Sequence, residues 1–246
     1  MQQFSEFSPP PLVLLSDLDD TIKISHTQSK LITVYRGLFR SAAFVGMATL
    51  YRELLRNPQS SFHLVSSSPP QIKQKIENFL KKNQFPTAKV TLRDWMRETN
   101  ILKYKMKHIL SLAEASPFPL LLIGDDTEHD PEVFHHVEKK FPEKVAARYL
   151  RVVKGCDLPP GSIGFYTAFD IACAELAAGR LHSDQVLQIG EAVLRAEKNS
   201  RLIPWFSLKP PESFIPLFIN PDQALLDLWK QIQKKVLSIP KRKTKT

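Results

Sequence analysis

Five short apolar runs, at residues 12–15, 62–65, 90–92, 120–123 and 147–153, with room for a helix in most of the gaps between them, constrain the fold of this chain more than any other feature. The runs are continuous rather than alternating, which is how strands read when helices cover both faces of a parallel sheet. The segments between them carry helical spacing: Met47, Leu50, Tyr51, Leu54 and Leu55 share one face, as do Ile72, Ile76, Phe79 and Leu80. The expected fold class is therefore α/β, a doubly wound, mainly parallel, Rossmann-like sheet whose chemistry belongs at the carboxyl ends of its strands.

From about residue 170 the pattern turns helical, through 171–181 and 186–197. Pro204, Pro210, Pro211, Pro216 and Pro221 then interrupt the chain before a last amphipathic stretch, 224–237. Residues 1–183 are expected to form the α/β domain, and 184–246 a helical extension that ends in a basic tail at Lys241, Arg242, Lys243 and Lys245. No apolar run approaches the roughly 18 residues of a membrane span. Residues 1–11 are polar, acidic at Glu6 and proline-rich, unlike a secretory leader, so a cytoplasmic protein is expected. Cys156 and Cys173 show no framework spacing and are read as reduced core residues. The positions six residues beyond them are Ser162 and Gly179, which excludes a cysteine-based phosphatase loop with its arginine. The 34 Lys and Arg residues exceed the 25 Asp and Glu by +9, a balance that favours polyanionic partners.

The first run, Leu12-Val13-Leu14-Leu15, leads directly into Ser16-Asp17-Leu18-Asp19-Asp20-Thr21. Three carboxylates at one strand end repel one another unless a cation sits among them, and an all-oxygen donor set suits magnesium. A calcium loop is excluded, because its spacing needs Gly at position 22 and Glu at position 28, where this chain has Ile22 and Gln28. A second acidic cluster, Gly124-Asp125-Asp126-Thr127-Glu128-His129-Asp130, follows the fourth run. If the two strands are neighbours, Asp17, Asp19 and Asp125 converge on one ion, with Asp130 holding the geometry from behind. Between them, Ser66-Ser67-Ser68-Pro69-Pro70 ends a strand in hydroxyls just before a helix, a natural phosphate cradle. Bound phosphate beside carboxylates also needs a fixed cation, and Lys105 is chosen over Lys103 and Lys107 on the helix before the fourth strand.

These four ordered pieces resemble the haloacid dehalogenase superfamily over residues 12–170: the Asp-x-Asp-x-Thr box at Asp17, Asp19 and Thr21, then Ser66, Lys105, and the Gly-Asp-Asp cluster ending at Asp130. A denser resemblance is to the conserved domain of the yeast actin-patch phosphatidate phosphatases and their bacterial relatives. It rests on the first box with Ile22 and Lys23, on Gly46-Met47-Ala48-Thr49-Leu50-Tyr51, on Val65-Ser66-Ser67-Ser68-Pro69, on Leu92-Arg93-Asp94-Trp95, on Gly124-Asp125-Asp126 with Asp130-Pro131-Glu132, and on Arg151. The residue after Asp125 is usually Ser in those relatives and is Asp126 here, where it either adds charge beside the metal or caps the next helix.

The resemblance implies a phosphatase in which Asp17 attacks phosphorus and Asp19 serves as acid and then base. Mg2+ would be held by Asp17, the Asp19 main-chain carbonyl and Asp125, with Asp126 and Asp130 supporting them. Ser66, Ser67 and Lys105 would bind the phosphoryl group. Little sequence is available for an inserted cap, so the site is expected to be open and to admit a large or surface-bound ester. Phosphatidate, converted to diacylglycerol at a membrane surface, is the first substrate expected, which would make the protein peripheral to the membrane. The alternatives are a phosphoprotein, nucleic-acid-end or small-metabolite phosphatase, or an inactive binding protein with the same fold. No aromatic and basic platform supports specific nucleic-acid binding. His129, His135, His136 and Glu132 read as surface residues, and no Gly-x-x-x-x-Gly-Lys loop is present.

Overall fold

A computed structural model describes residues 9–25 and 42–240. The expected runs form β1 (Val13–Ser16), β2 (Ser61–Ser66), β3 (Lys89–Leu92), β4 (Leu120–Asp125) and β5 (Val145–Arg151), and a further strand, β6 (Ser162–Phe165), follows them. All pair in parallel in the order β3-β2-β1-β4-β5-β6. The helices among the described residues are α1 (Met47–Leu54), α2 (Lys73–Lys82), α3 (Ile101–Ala115), α4 (Asp130–Lys140), α5 (Ala168–Ala177), α6 (Ser183–Leu194) and α7 (Gln223–Leu237).

The alternation of side chains along a strand divides the core in two. Leu12 and Leu14 face a cluster built with α1, α2, α5, α6 and α7. Val13 and Leu15 face a second cluster made with Tyr104, Ile109 and Ala113 of α3 and Val133, Phe134 and Val137 of α4. Both faces are dry, which is why β1 reads as an unbroken apolar run. The 184–240 region closes the first cluster, for Val186, Ile189, Val193, Leu225, Leu228, Ile232 and Val236 share it with Leu14 and Phe165. Gln185 of α6 donates to Glu53 of α1 at 2.9 Å, and Lys235 of α7 donates to the carbonyl of Ala196 at 2.9 Å.

Gly46, the residue before α1, has φ +85°, and a Cβ there would stand 2.7 Å from Val193 Cγ2 and 3.0 Å from Ala168 Cβ. The glycine therefore permits both the left-handed turn and the close approach of α1 to α5 and α6.

Between β2 and α3 the chain holds α2, β3 and a short link, with no inserted cap. The corresponding expectation for the interval after β1 falls partly on residues 26–41, and the basic tail on 241–246, outside the described residues. One expectation is corrected. Cys173 is buried but Cys156 is exposed, because it lies in the loop after β5 rather than in the core. Among the described residues no helix is long and apolar enough to cross a membrane.

Candidate active site

Strand order reverses between β1 and β4, and in open α/β sheets ligands bind in the crevice at that point, beyond the carboxyl ends of the strands. Asp17 follows β1 immediately and is seated by its N–H donating to the Ile123 carbonyl of β4 at 3.0 Å. Asp125 is the last residue of β4 and Asp130 the first of α4. Asp17, Asp125 and Asp130, all buried, each offer an oxygen within 4.8 Å of the others.

Lys105 enters this group from α3. Its Nζ donates to Asp17 Oδ1 at 2.9 Å and to Asp130 Oδ1 at 2.5 Å, with the side chain almost wholly buried. Burial alone would lower the ammonium's pKa, but the charges of Asp130 and then Asp17 outweigh it and hold the pKa well above the ordinary lysine value. Asp125 is shifted upward too, but here burial and charge act together. Burial first, then the charges of Asp130 and Asp17, push its carboxyl well above the usual range. Its oxygens accept from Thr21 Oγ1 at 3.3 Å, from the Thr127 N–H at 2.6 Å and from the Thr127 hydroxyl. Three buried carboxylates clustered about one ammonium form a site short of positive charge, and their oxygen donors fit a hard divalent cation such as magnesium.

Asp19 stands outside that group of three. Its carboxylate accepts from Lys23 Nζ at 2.7 Å and from the Ser25 hydroxyl. The loop that carries it folds back on itself, with the N–H groups of Ile22 and Lys23 on the Leu18 carbonyl and that of Asp20 on Lys23. Asp20 sits at φ +56°. An aspartate tolerates this region better than most residues, and here its Oδ1 also takes the Ser25 N–H at 2.9 Å.

Ser66 ends β2, and its hydroxyl oxygen accepts the Ser68 N–H at 3.2 Å, which turns the chain toward α2. The Ser67 carbonyl accepts from Trp95 Nε1 at 2.8 Å and from Arg93 Nε at 3.4 Å, so the Leu92-Arg93-Asp94-Trp95 segment braces the serine turn. Tyr104 donates to the Ser66 carbonyl at 3.2 Å, tying the helix that carries Lys105 to the same strand end. The Gly-Met-x-x-Leu-Tyr segment has a comparable purpose. Tyr51 donates to Ser16 Oγ at 2.8 Å, and Ser16 donates in turn to the Asp17 carbonyl at 2.6 Å.

Asp126 does not cap the next helix, whose N-cap is His129. Its Oδ1 accepts the N–H groups of Val153 and Lys154, both at 2.9 Å, and its Oδ2 those of Gly155 at 2.6 Å and Cys156 at 3.3 Å, so it organises the loop after β5. Sequence reasoning missed Thr127, whose position two residues after a strand-end Asp is the ordinary signal of a side-chain turn. It also gave Arg151 no role. Buried Arg151 donates to the Thr21 carbonyl at 3.1 Å and the Tyr166 carbonyl at 2.7 Å, with its guanidinium 3.7 Å from the Phe44 ring centre and 4.6 Å from that of Phe165. Burial lowers its pKa to about 9, and its two donations tie the loop after β1 to the ends of β5 and β6.

A parallel Rossmann-like sheet carrying Asp-x-Asp-x-Thr, a serine, a buried lysine and a second acidic cluster in this order is the arrangement of a haloacid dehalogenase-like protein. More particularly, the chain belongs to the family described as the catalytic domain of phosphatidate phosphatase APP1, whose family model matches residues 12–152. It is similar to phosphatidate phosphatase APP1 of Saccharomyces cerevisiae, with 27% identity over 155 residues, which is 58% of this chain and 26% of the yeast protein. The chain thus spans about a quarter of the length of that relative.

Proposed function

We propose that this chain is a magnesium-dependent phosphatase that hydrolyses phosphatidate to diacylglycerol and inorganic phosphate through a phosphorylated Asp17, working peripherally at a membrane from the cytoplasm. The observation that carries the reading is the pairing of buried Asp17 with Lys105 at the sheet's reversal point, in a chain of this family.

In the first step an Asp17 carboxylate oxygen attacks phosphorus in line, the bond to the diacylglycerol oxygen breaks, and Asp19 gives that oxygen its proton. In the second, water attacks the aspartyl-phosphate, Asp19 takes the proton, and phosphate leaves with the Asp17 carboxylate restored. The Asp19 carboxylate accepts from Lys23 and Ser25, and it would leave the Lys23 ion pair to take up the proton that it gives the diacylglycerol oxygen. Lys105 offsets charge on the phosphoryl group, and Ser66 and Ser67 bind its oxygens from the turn after β2. Asp130 fixes Lys105, and Thr127 and Thr21 fix Asp125. Asp17, Asp125 and the Asp19 main-chain carbonyl would hold magnesium, which supplies further neutralisation of the phosphoryl oxygens when bound.

The test is turnover of phosphatidate in vesicles and of a soluble phosphomonoester, each with magnesium or with chelator, by the parent and by Asp17→Asn. Magnesium-dependent release of phosphate from both substrates, lost in the variant, is expected. Equal rates for variant and parent would overturn the mechanism, and hydrolysis of the soluble ester alone would remove the lipid assignment.

A further inference from the structure

We propose that the carboxyl edge of the sheet is a bilayer-docking face, on which Met96, Trp205 and Leu208 enter the interface of an anionic membrane while Arg97, Lys103 and Lys154 meet its headgroups. The proposal rests on the phosphatidate reading for its purpose but not for its test.

Large apolar side chains left in water are informative when they gather around a site. Met96 is 93% exposed, Trp205 51% and Leu208 48%. Met96 lies in the turn after β3, where its N–H donates to Asp94 Oδ1 at 3.0 Å and the Arg97 N–H to the Asp94 carbonyl at 3.2 Å. That turn is fastened to the serine loop by the Arg93 N–H on the Ser68 carbonyl at 3.1 Å and by Trp95 on Ser67.

Residues 201–208 form a strap along the same edge. At one end Arg201 donates to the Ala43 carbonyl at 3.2 Å, beside the bridge between Ala43 and Lys23 of the nucleophile loop. At the other end the Leu208 N–H donates to the Val153 carbonyl at 3.0 Å, just past β5. Trp205 sits between these anchors in a turn closed by the Ser207 N–H on the Pro204 carbonyl at 3.0 Å.

The sheet order therefore puts Met96 two strands to one side of Asp17 and Leu208 one strand to the other side of Asp125. At the usual strand spacing of about 4.8 Å these offsets are roughly 10 and 5 Å. Separate apolar tips on either side of a reactive cleft do not make the contiguous apolar centre of a protein interface. They suit a surface into which each tip dips independently, and tryptophan favours the membrane–water boundary.

The charges agree. The Arg97 side chain is 89% exposed, Lys103 is exposed in the first turn of α3, and Lys154 is exposed in the loop after β5. The chain as a whole carries +9. Basic residues flanking inserted apolar ones are the combination that retains a peripheral protein on anionic lipid.

Co-sedimentation of the full chain with phosphatidylcholine vesicles, with and without phosphatidylserine, tests this directly. The parent is expected to partition onto the phosphatidylserine vesicles. The combined Met96→Ser, Trp205→Ser and Leu208→Ser variant should partition at least about tenfold more weakly, with its soluble-ester turnover unchanged. Arg97→Glu with Lys103→Glu should weaken partitioning only where phosphatidylserine is present. Parent and triple variant partitioning alike, or a parent that stays in the supernatant, would overturn the docking face. Phosphatidylserine is not a phosphomonoester, so this result holds whether or not phosphatidate is hydrolysed. A parent that hydrolyses phosphatidate without partitioning leaves the catalytic reading standing and removes the docking face alone.

Discussion

Lys105 reaches Asp17 from a helix 88 residues further along the chain and stands 2.9 Å from its carboxylate, deep in the crevice between β1 and β4. Lys105→Met would keep the apolar stem and remove the charge, leaving Asp17 and Asp130 buried without their ammonium. Breaking a buried pair in this way costs about 3–5 kcal/mol. Without magnesium, urea unfolding should show a loss of that size, and turnover of a soluble phosphomonoester should fall about 10²–10³-fold.

Asp126 accepts four amides from the loop after β5. Asp126→Asn would turn an N–H₂ group toward N–H donors, so even this isosteric change should destabilise the protein by about 1–3 kcal/mol. Amide hydrogen exchange is the sharper measurement, because protection should drop at Val153, Lys154 and Gly155.

Gly124 has no room for a side chain. A Cβ there would come within 2.8 Å of Asp130 Cβ and Cγ, atoms fixed by the hydrogen bond to Lys105. Gly124→Ala should therefore displace Asp130, lowering the rate constant of turnover far more than apparent affinity for a soluble ester. A steady-state comparison showing the parent's rate constant would contradict this account of the site.

Asp170 ends up buried at the start of α5, where burial raises its carboxyl to about 6 against the opposing effect of the Thr167 and Tyr166 N–H groups. The unfolded value is about 3.9. Between the two the folded protein binds more protons, so stability from this group is fully present below about pH 4 and is lost as pH rises through about 6. In thermal unfolding from pH 4 to 7, the midpoint of Asp170→Asn should rise relative to the parent through this window and level off above it.

Strands β1 and β4 were legible because both their faces are dry, so that 13–15 and 120–123 are unbroken apolar runs, and β2 was legible from Phe62, Leu64 and Val65 around a half-buried His63. β6 was not. As an edge strand of Ser162, Ile163, Gly164 and Phe165, with only Phe165 fully buried, it has no run to detect. Asp17, Asp125, Asp130 and Lys105 were legible as costly polar residues at strand ends or in a family-like order, and the structure brings these four together. Asp126 was ambiguous because a carboxylate beside a carboxylate carries no sign of which way it points, and only the backbone after β5 decides. Arg151 was visible as a residue but not as a clamp. Its partners are the main-chain carbonyls of Thr21 and Tyr166, and every residue in the chain offers the same one.

The family match ends at residue 152, yet the first core cluster continues through Phe165, Phe169, Val186, Ile189 and Leu225. Inheritance and folding thus have different boundaries in this molecule. A fragment cut to the shared region would carry every acidic residue of the site and keep α1 and α2 on the Leu14 side of the sheet, yet lose the part of that cover that α5, α6 and α7 provide.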